Sequence, residues 1–237
     1  MELSEGEKVI QKRAIEWAKK VKNDIGKKLT DRSVYQVEDS PVSVFMAGSP
    51  GAGKTEAAKS LLAVHDSIIR LDIDDMRQYF DDYNGGNAYL FQGAASILLD
   101  RAHDLALKQK QSFLLDGTMA DFNIAKKNIE RSLKRGRTVQ ILFVYQQPQQ
   151  AWRFVQAREK VEGRRVFPEK FVDQYFLSRE SANLLKRVFG DKIILDLLIK
   201  NIDGTNQKYH RNITQLDGNI KDKYSRGDLL GVVGLSH

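Results

Sequence analysis

The sequence contains no cysteine. Disulfides, thiolate nucleophiles and cysteine-based zinc sites are therefore excluded, and a reducing compartment is compatible. Histidine is scarce. The four copies, His65, His103, His210 and His237, are scattered and form no nucleophile or metal constellation. No apolar run approaches the ~20 residues of a membrane span. Residues 1–20 mix charges through their apolar positions and lack the uninterrupted apolar stretch of a secretory signal. These absences lead us to expect a cytoplasmic protein with no membrane partner.

What is present is ordinary in bulk. Hydrophobic residues make up 41% and charged residues 29% of 237 positions, room for one large α/β domain with an appendage. The formal charge of +7 fits an anionic partner, whether nucleotide, nucleic acid or acidic protein, and fits a plain excess of solvated lysine equally well.

The pattern along the chain is more informative. Residues 4–29 carry apolar side chains at three- and four-residue steps (Ile10, Ala14, Trp17, Ala18, Val21, Ile25, Leu29), and Ser4 and Glu7 have capping-box spacing. This predicts an amphipathic helix anchored through Trp17, with Lys8, Lys12, Lys19, Lys20 and Lys27 on its outer face. Five short buried strands are predicted at 42–48, 68–73, 112–116, 138–145 and 192–199. Helical patterns separate them at 54–62, 88–109, 123–135 and within 149–188. The alternation implies an α/β fold: a five-stranded, mostly parallel sheet with helices on both faces. We divide the chain into an N-terminal helical extension (1–40), a core (41–203) with a lid around 158–168, and a polar, turn-rich tail (204–237) that reads as a hairpin or a partner surface.

The strongest local signal is "GSPGAGKT", residues 48–55, between an apolar strand and a helical pattern. Gly48, Ser49, Pro50, Gly51, Ala52 and Gly53 allow a loop whose backbone N–H groups surround phosphates, aided by the dipole of the next helix. Lys54 can reach the β- and γ-phosphates, and the Thr55 hydroxyl can ligate Mg²⁺. Glu56 extends the nucleotide-binding set, and the fold expected is that of P-loop NTPases with ATP or GTP as donor.

Two strands end in acid. "LDIDD" offers Asp72, Asp74 and Asp75 at the crevice where parallel sheets bind ligands. One of them is placed to accept the proton of an attacking hydroxyl, and another to cap the next helix. "LLDGT" offers Asp116 as a second holder of Mg²⁺, with Gly117 and Thr118 at the acceptor side; a helix N-cap is the alternative role for Thr118. Downstream, "QAREKVEGRRVFP" places Arg158, Arg164 and Arg165 in or beside the lid, where arginines can neutralise a phosphoryl group in transfer.

Taken together these motifs resemble the zeta-toxin-like small-molecule kinases, the toxin half of epsilon/zeta toxin–antitoxin systems, over about residues 42–199. The resemblance implies that Asp74 is the catalytic base. It also implies that Lys54, Arg158 and Arg165, the last followed three residues later by Pro168, grip the phosphates, and that Asp116 and Thr118 flank the acceptor. It implies a substrate such as UDP-N-acetylglucosamine, phosphorylated on a sugar hydroxyl, and an antitoxin partner that blocks the nucleotide site. Two departures concern the acceptor: Ser96 stands where the resemblance leads one to expect a glutamate, and the lid at 160–164 is short. The lysine-rich first helix motivates a second reading, a kinase of nucleic-acid hydroxyls. A third reading is a nucleotide-gated binding module that transfers no phosphate.

Overall fold

The computed structural model describes residues 3–163, 165–203 and 205–235, with the side chain of Gln207 also outside the description. Arg164, the Gly204 turn and His237 of the sequence reading therefore lie outside the described residues.

Helix α1 (Glu5–Leu29) starts at the expected capping box: Ser4 and Glu7 exchange side chain-to-backbone hydrogen bonds. It packs along α4 (Gln92–Lys108) through Ala14, Ala18, Ile25 and Gly26. A β-carbon on Gly26 would stand 3.0 Å from Leu105 and 3.1 Å from Arg101, so close approach of the two helices depends on that glycine. Trp17 meets Phe80 edge to face at 5.1 Å but stays 38% exposed, so the anchor is the run of small residues and not the indole.

The sheet has six strands, not five, in the order β2-β3-β1-β4-β5-β6. Strands β1 (Val42–Ala47), β2 (Ile69–Asp72), β3 (Phe113–Asp116), β4 (Thr138–Tyr145) and β5 (Ile194–Lys200) are parallel. Strand β6 (Asn206–His210) joins β5 antiparallel at the edge. Its sequence, "NQKYH", has no apolar alternation because an edge strand gains its place from backbone hydrogen bonds more than from side-chain burial.

Side chains alternate between the two faces. From β1, Phe45 and Ala47 join one core with Ile141, Phe143 and Leu197, which α6 (Pro148–Glu162) and α7 (Pro168–Phe189) cover. Val44 and Met46 join the other with Leu142 and Val144, covered by Ala57 and Ala58 of α2 (Lys54–Leu62). Helices on both faces thus follow from central strands whose apolar side chains point both ways. The remaining helices are the short α3 (Ile73–Arg77), α5 (Phe122–Leu133) and, in the tail, α8 (Arg226–Val232). Leu216, Ile220 and Leu229 of the tail are buried in the larger core, so this segment folds back onto the sheet side.

Candidate active site

Residues 48–55 form the turn between β1 and α2. Gly48 (φ 131°) and Gly51 (φ 70°) take backbone conformations that disfavour L side chains. A β-carbon at Gly48 would lie 2.3 Å from the Val144 carbonyl oxygen, and one at Gly51 would lie 2.1 Å from that of Ala151. The loop is therefore pressed onto the end of β4 and the first turn of α6. The Gly48 N–H donates to the Thr118 carbonyl at 3.2 Å, which ties the loop to the end of β3. Lys54 folds back over the turn: its ammonium donates to the carbonyls of Gly48 (3.0 Å) and Ser49 (2.7 Å).

The loop opens on a cleft of about 1300 Å³. Pro50, Lys54, Thr55 and Glu56 line it at the donor end. Asp72, Asp74, Asp116 and Thr118 line its middle, and Ser96 its far wall. Arg158 enters from α6. One cavity thus collects Lys54, Thr55, Asp72, Asp74, Asp116, Thr118, Ser96 and Arg158 of the sequence-predicted groups, but not Asp75 or Arg165. That guanidinium lies over the Phe167 ring at 5.2 Å, 3.9 Å from Glu159, and is not among the residues lining the cleft. Arg158 pairs with Glu162 at 3.0 Å, one turn along the same helix. The stretch between the two helices is short, from the C-cap Gly163 to Pro168.

The three acids of "LDIDD" separate by role. Asp72 is the N-cap of α3 and accepts from the Asp74 N–H at 2.9 Å. Asp75 turns away from the cleft to Arg70 at 2.7 Å. Asp74 projects from the first turn into the cleft, held by an ion pair with Arg77. Arg77 is buried and also donates to Gln92, the first residue of α4, so the carboxylate is braced against a second helix. Asp72 and Asp116 are direct neighbours across the parallel β2–β3 pair. Burial, then the charges of Asp116 and Asp74, push the Asp72 carboxyl up to about 7, against the Asp74 N–H and Arg70.

After Asp116 and Gly117 the chain turns sharply, with Met119 in the left-handed region at φ 58°. Asp121, not Thr118, caps α5, accepting from the Ile124 N–H at 3.0 Å. This leaves Thr118 on the cleft wall without a capping role. The far wall holds groups that the sequence reading did not select. Asp100 and Asp104 continue the Ser96 face of α4 at four-residue steps, and Lys127, Asn128 and Arg131 face them from α5. Arg131 pairs with Asp104 across the cleft and donates to Asn128 at 3.2 Å. Burial pushes the Asp100 carboxyl up, against the pull of Arg131. The four-residue spacing was the available signal, but it could not be told from an ordinary solvated face.

The donor set suits Mg²⁺. Thr55 could offer a hydroxyl and Asp116 a carboxylate, both hard oxygen donors that line the cleft. Among the described residues no group of three or more His, Asp or Glu is arranged to hold a metal alone.

The family profile described as "Zeta toxin" matches residues 26–214. The comparison with curated protein sequences returns no match. Among solved structures, one from the PezAT toxin–antitoxin system of Streptococcus pneumoniae superposes with a TM-score of 0.62 at 14% identity, covering 98% of this chain and 88% of that one. The AvrRxo1-ORF1:AvrRxo1-ORF2 complex with sulphate ions gives 0.60 at 13% identity, over 90% and 74%. The complex with ATP gives 0.58 at 13% identity, over 85% and 65%. At such identities these likenesses speak for the α/β fold alone. The profile match spans most of the sequence, and on that ground the chain belongs to the zeta toxin family, whose members are kinases.

Proposed function

We propose that this protein is a Mg²⁺- and ATP- or GTP-dependent kinase that phosphorylates a hydroxyl of a small molecule, a UDP-amino sugar such as UDP-N-acetylglucosamine, and acts as a zeta-type toxin held in check by an antitoxin. The observation that carries the reading is the position of Asp74. It lies in the same cleft as Lys54, between the phosphate loop and the Ser96 wall, and is braced by Arg77.

In this account the phosphate loop and Lys54 hold the donor phosphates, with Lys54 exchanging its carbonyl partners for β- and γ-phosphate oxygens. A bound Mg²⁺, held by Thr55 and Asp116, would neutralise charge on those oxygens. Asp74 accepts the proton of the acceptor hydroxyl as that oxygen attacks the γ-phosphorus. Arg158 leaves Glu162 to stabilise the equatorial oxygens in the transition state, and Arg165 joins it when the lid closes. Thr118, Ser96 and the polar far wall orient the acceptor. Residues 41–203 carry this machinery, with 1–40 and 204–237 as supporting extensions.

The acceptor is identified by incubating purified protein with γ-labelled ATP and a metabolite pool that includes UDP-N-acetylglucosamine and RNA. Mass spectrometry of the labelled product follows. A phosphorylated nucleotide sugar is the expected product. Label in RNA, with binding that falls steeply with salt, would replace the acceptor in this reading. ATP consumption that ignores every acceptor would count against a kinase.

A further inference from the structure

Behind the strand-end acids stands a residue that the proposed mechanism does not use. Arg70 lies on β2 two residues before Asp72, so both side chains leave the same face of the strand. Its Nη2 donates to Asp72 and, at 3.1 Å, to Oδ2 of Asp116; its Nη1 donates to Asp75 at 2.7 Å. One guanidinium thus joins three carboxylates. Two of them, Asp72 and Asp116, line the cleft, and Arg70 does not. Its buried Nε has no hydrogen-bond partner among the described residues, so the side chain is placed for its two terminal nitrogens. Arg70 is also the one donor to Asp116 among the hydrogen bonds of the described residues; it takes Oδ2, and none of those bonds reaches Oδ1.

We propose that Arg70 is a positioning residue of the phosphoryl-transfer site, fixing the Asp116 carboxylate so that its second oxygen is presented to the metal–nucleotide complex. The proposal rests on the kinase reading above. Two carboxylates on adjacent parallel strands repel each other and would rotate apart. A planar fork that binds both on one nitrogen holds them together and fixes which oxygen remains for a ligand. An outer contact of this kind orients a metal ligand without touching the metal, and its loss typically costs 10–100-fold in metal affinity. A lysine at this position would keep the charge but could not hold three carboxylates in one plane.

The test measures Mn²⁺ binding to the protein complexed with a non-transferable ATP analogue, adenylyl imidodiphosphate, by electron paramagnetic resonance, with melting followed in parallel. Arg70→Gln is expected to raise the Mn²⁺ dissociation constant about tenfold. Arg70→Lys is expected to fall between Gln and wild type. Should Arg70→Gln melt earlier yet bind Mn²⁺ within twofold of wild type, Arg70 is a structural strut and the proposal is overturned. If Arg70→Gln does not fold, Arg70→Lys carries the test, and wild-type Mn²⁺ affinity in that variant overturns it equally. Failure of the kinase reading looks different: the wild-type protein would then show no Mn²⁺-dependent binding of the analogue, which would remove both.

Discussion

Asp74 stands on the first turn of a five-residue helix whose N-cap is another aspartate. From spacing alone, Asp72, Asp74 and Asp75 were equivalent. The cap geometry separates them, because the residue that accepts the N–H two positions on cannot also reach across the cleft. Asp74→Asn should therefore reduce the rate of phosphoryl transfer by about 10²–10⁴-fold, the usual contribution of a general base, while nucleotide affinity stays within about twofold. Steady-state kinetics beside equilibrium nucleotide binding checks both halves. We assign the histidines no chemistry, but one has a physical consequence. His103 is buried between Phe45 and Phe113, and burial, then Arg131, Arg137 and Arg135, lowers it to about 3 from 6.5. The unfolded chain takes up this proton below about pH 6.5 and the folded chain does not. Stability is thus present above 6.5 and is lost as pH falls toward 3. Acidification from pH 7 to 5 should cost on the order of 2 kcal/mol through this group. Denaturant melts of His103→Leu should show a flatter acid limb than the wild type.

At the scale of elements, legibility tracked burial. The five parallel strands and the helices between them were readable because both faces of the sheet are covered and these strands are predominantly apolar on both sides. The ends moved by a residue or two where capping, not hydrophobicity, decides; β2 stops at Asp72 because that side chain is already the cap of α3. Helix α3 itself was legible only as the next helix an aspartate would cap, too short for a period to show. Strand β6 was anticipated only as part of a possible hairpin in the tail, because its polar edge sequence carries no alternation. The phosphate loop was legible down to individual glycines, and the structure gives two of them separate reasons. Gly51→Ala must place a β-carbon on the Ala151 carbonyl at a positive φ. The strain alone is about 1–2 kcal/mol, a fall of roughly 3–6 °C in melting temperature for a chain of this size. Because the loop must also shift away from α6, nucleotide affinity should fall at least about tenfold, measurable by calorimetry. Wild-type affinity in Gly51→Ala would mean that the loop tolerates displacement and that its fixed shape is not what binds phosphate.

For the molecule as a whole, the phosphate loop was readable as a unit, whereas of the groups on the proposed acceptor side only Asp116, Thr118 and Ser96 were named from the sequence. The donor half is one contiguous motif with its reasons inside it. The proposed acceptor half is the wall formed by α4 and α5, whose Asp100, Asp104, Lys127 and Arg131 line one cleft only because the two helices pack against the same core. The tail was read as a hairpin or a partner surface; its β6 pairs antiparallel with β5, and its Leu216, Ile220, Leu229 and Val233 are buried against the central core. Removing residues 213–237 should expose that face. At about 1.5–3 kcal/mol for each fully buried side chain, the loss is of the order of the whole stability of a domain, so the truncated chain should melt far earlier or aggregate, as circular dichroism would report. The central claim, that one cleft joins a phosphate donor to a hydroxyl acceptor through Asp74, is tested most directly by phosphate transfer itself. Wild type and Asp74→Asn are compared at equal Mg²⁺ and nucleotide, with UDP-N-acetylglucosamine present and absent. The account predicts acceptor-dependent label in the product with the wild type and a fall of at least about 10² with Asp74→Asn. Equal transfer by both proteins would contradict it.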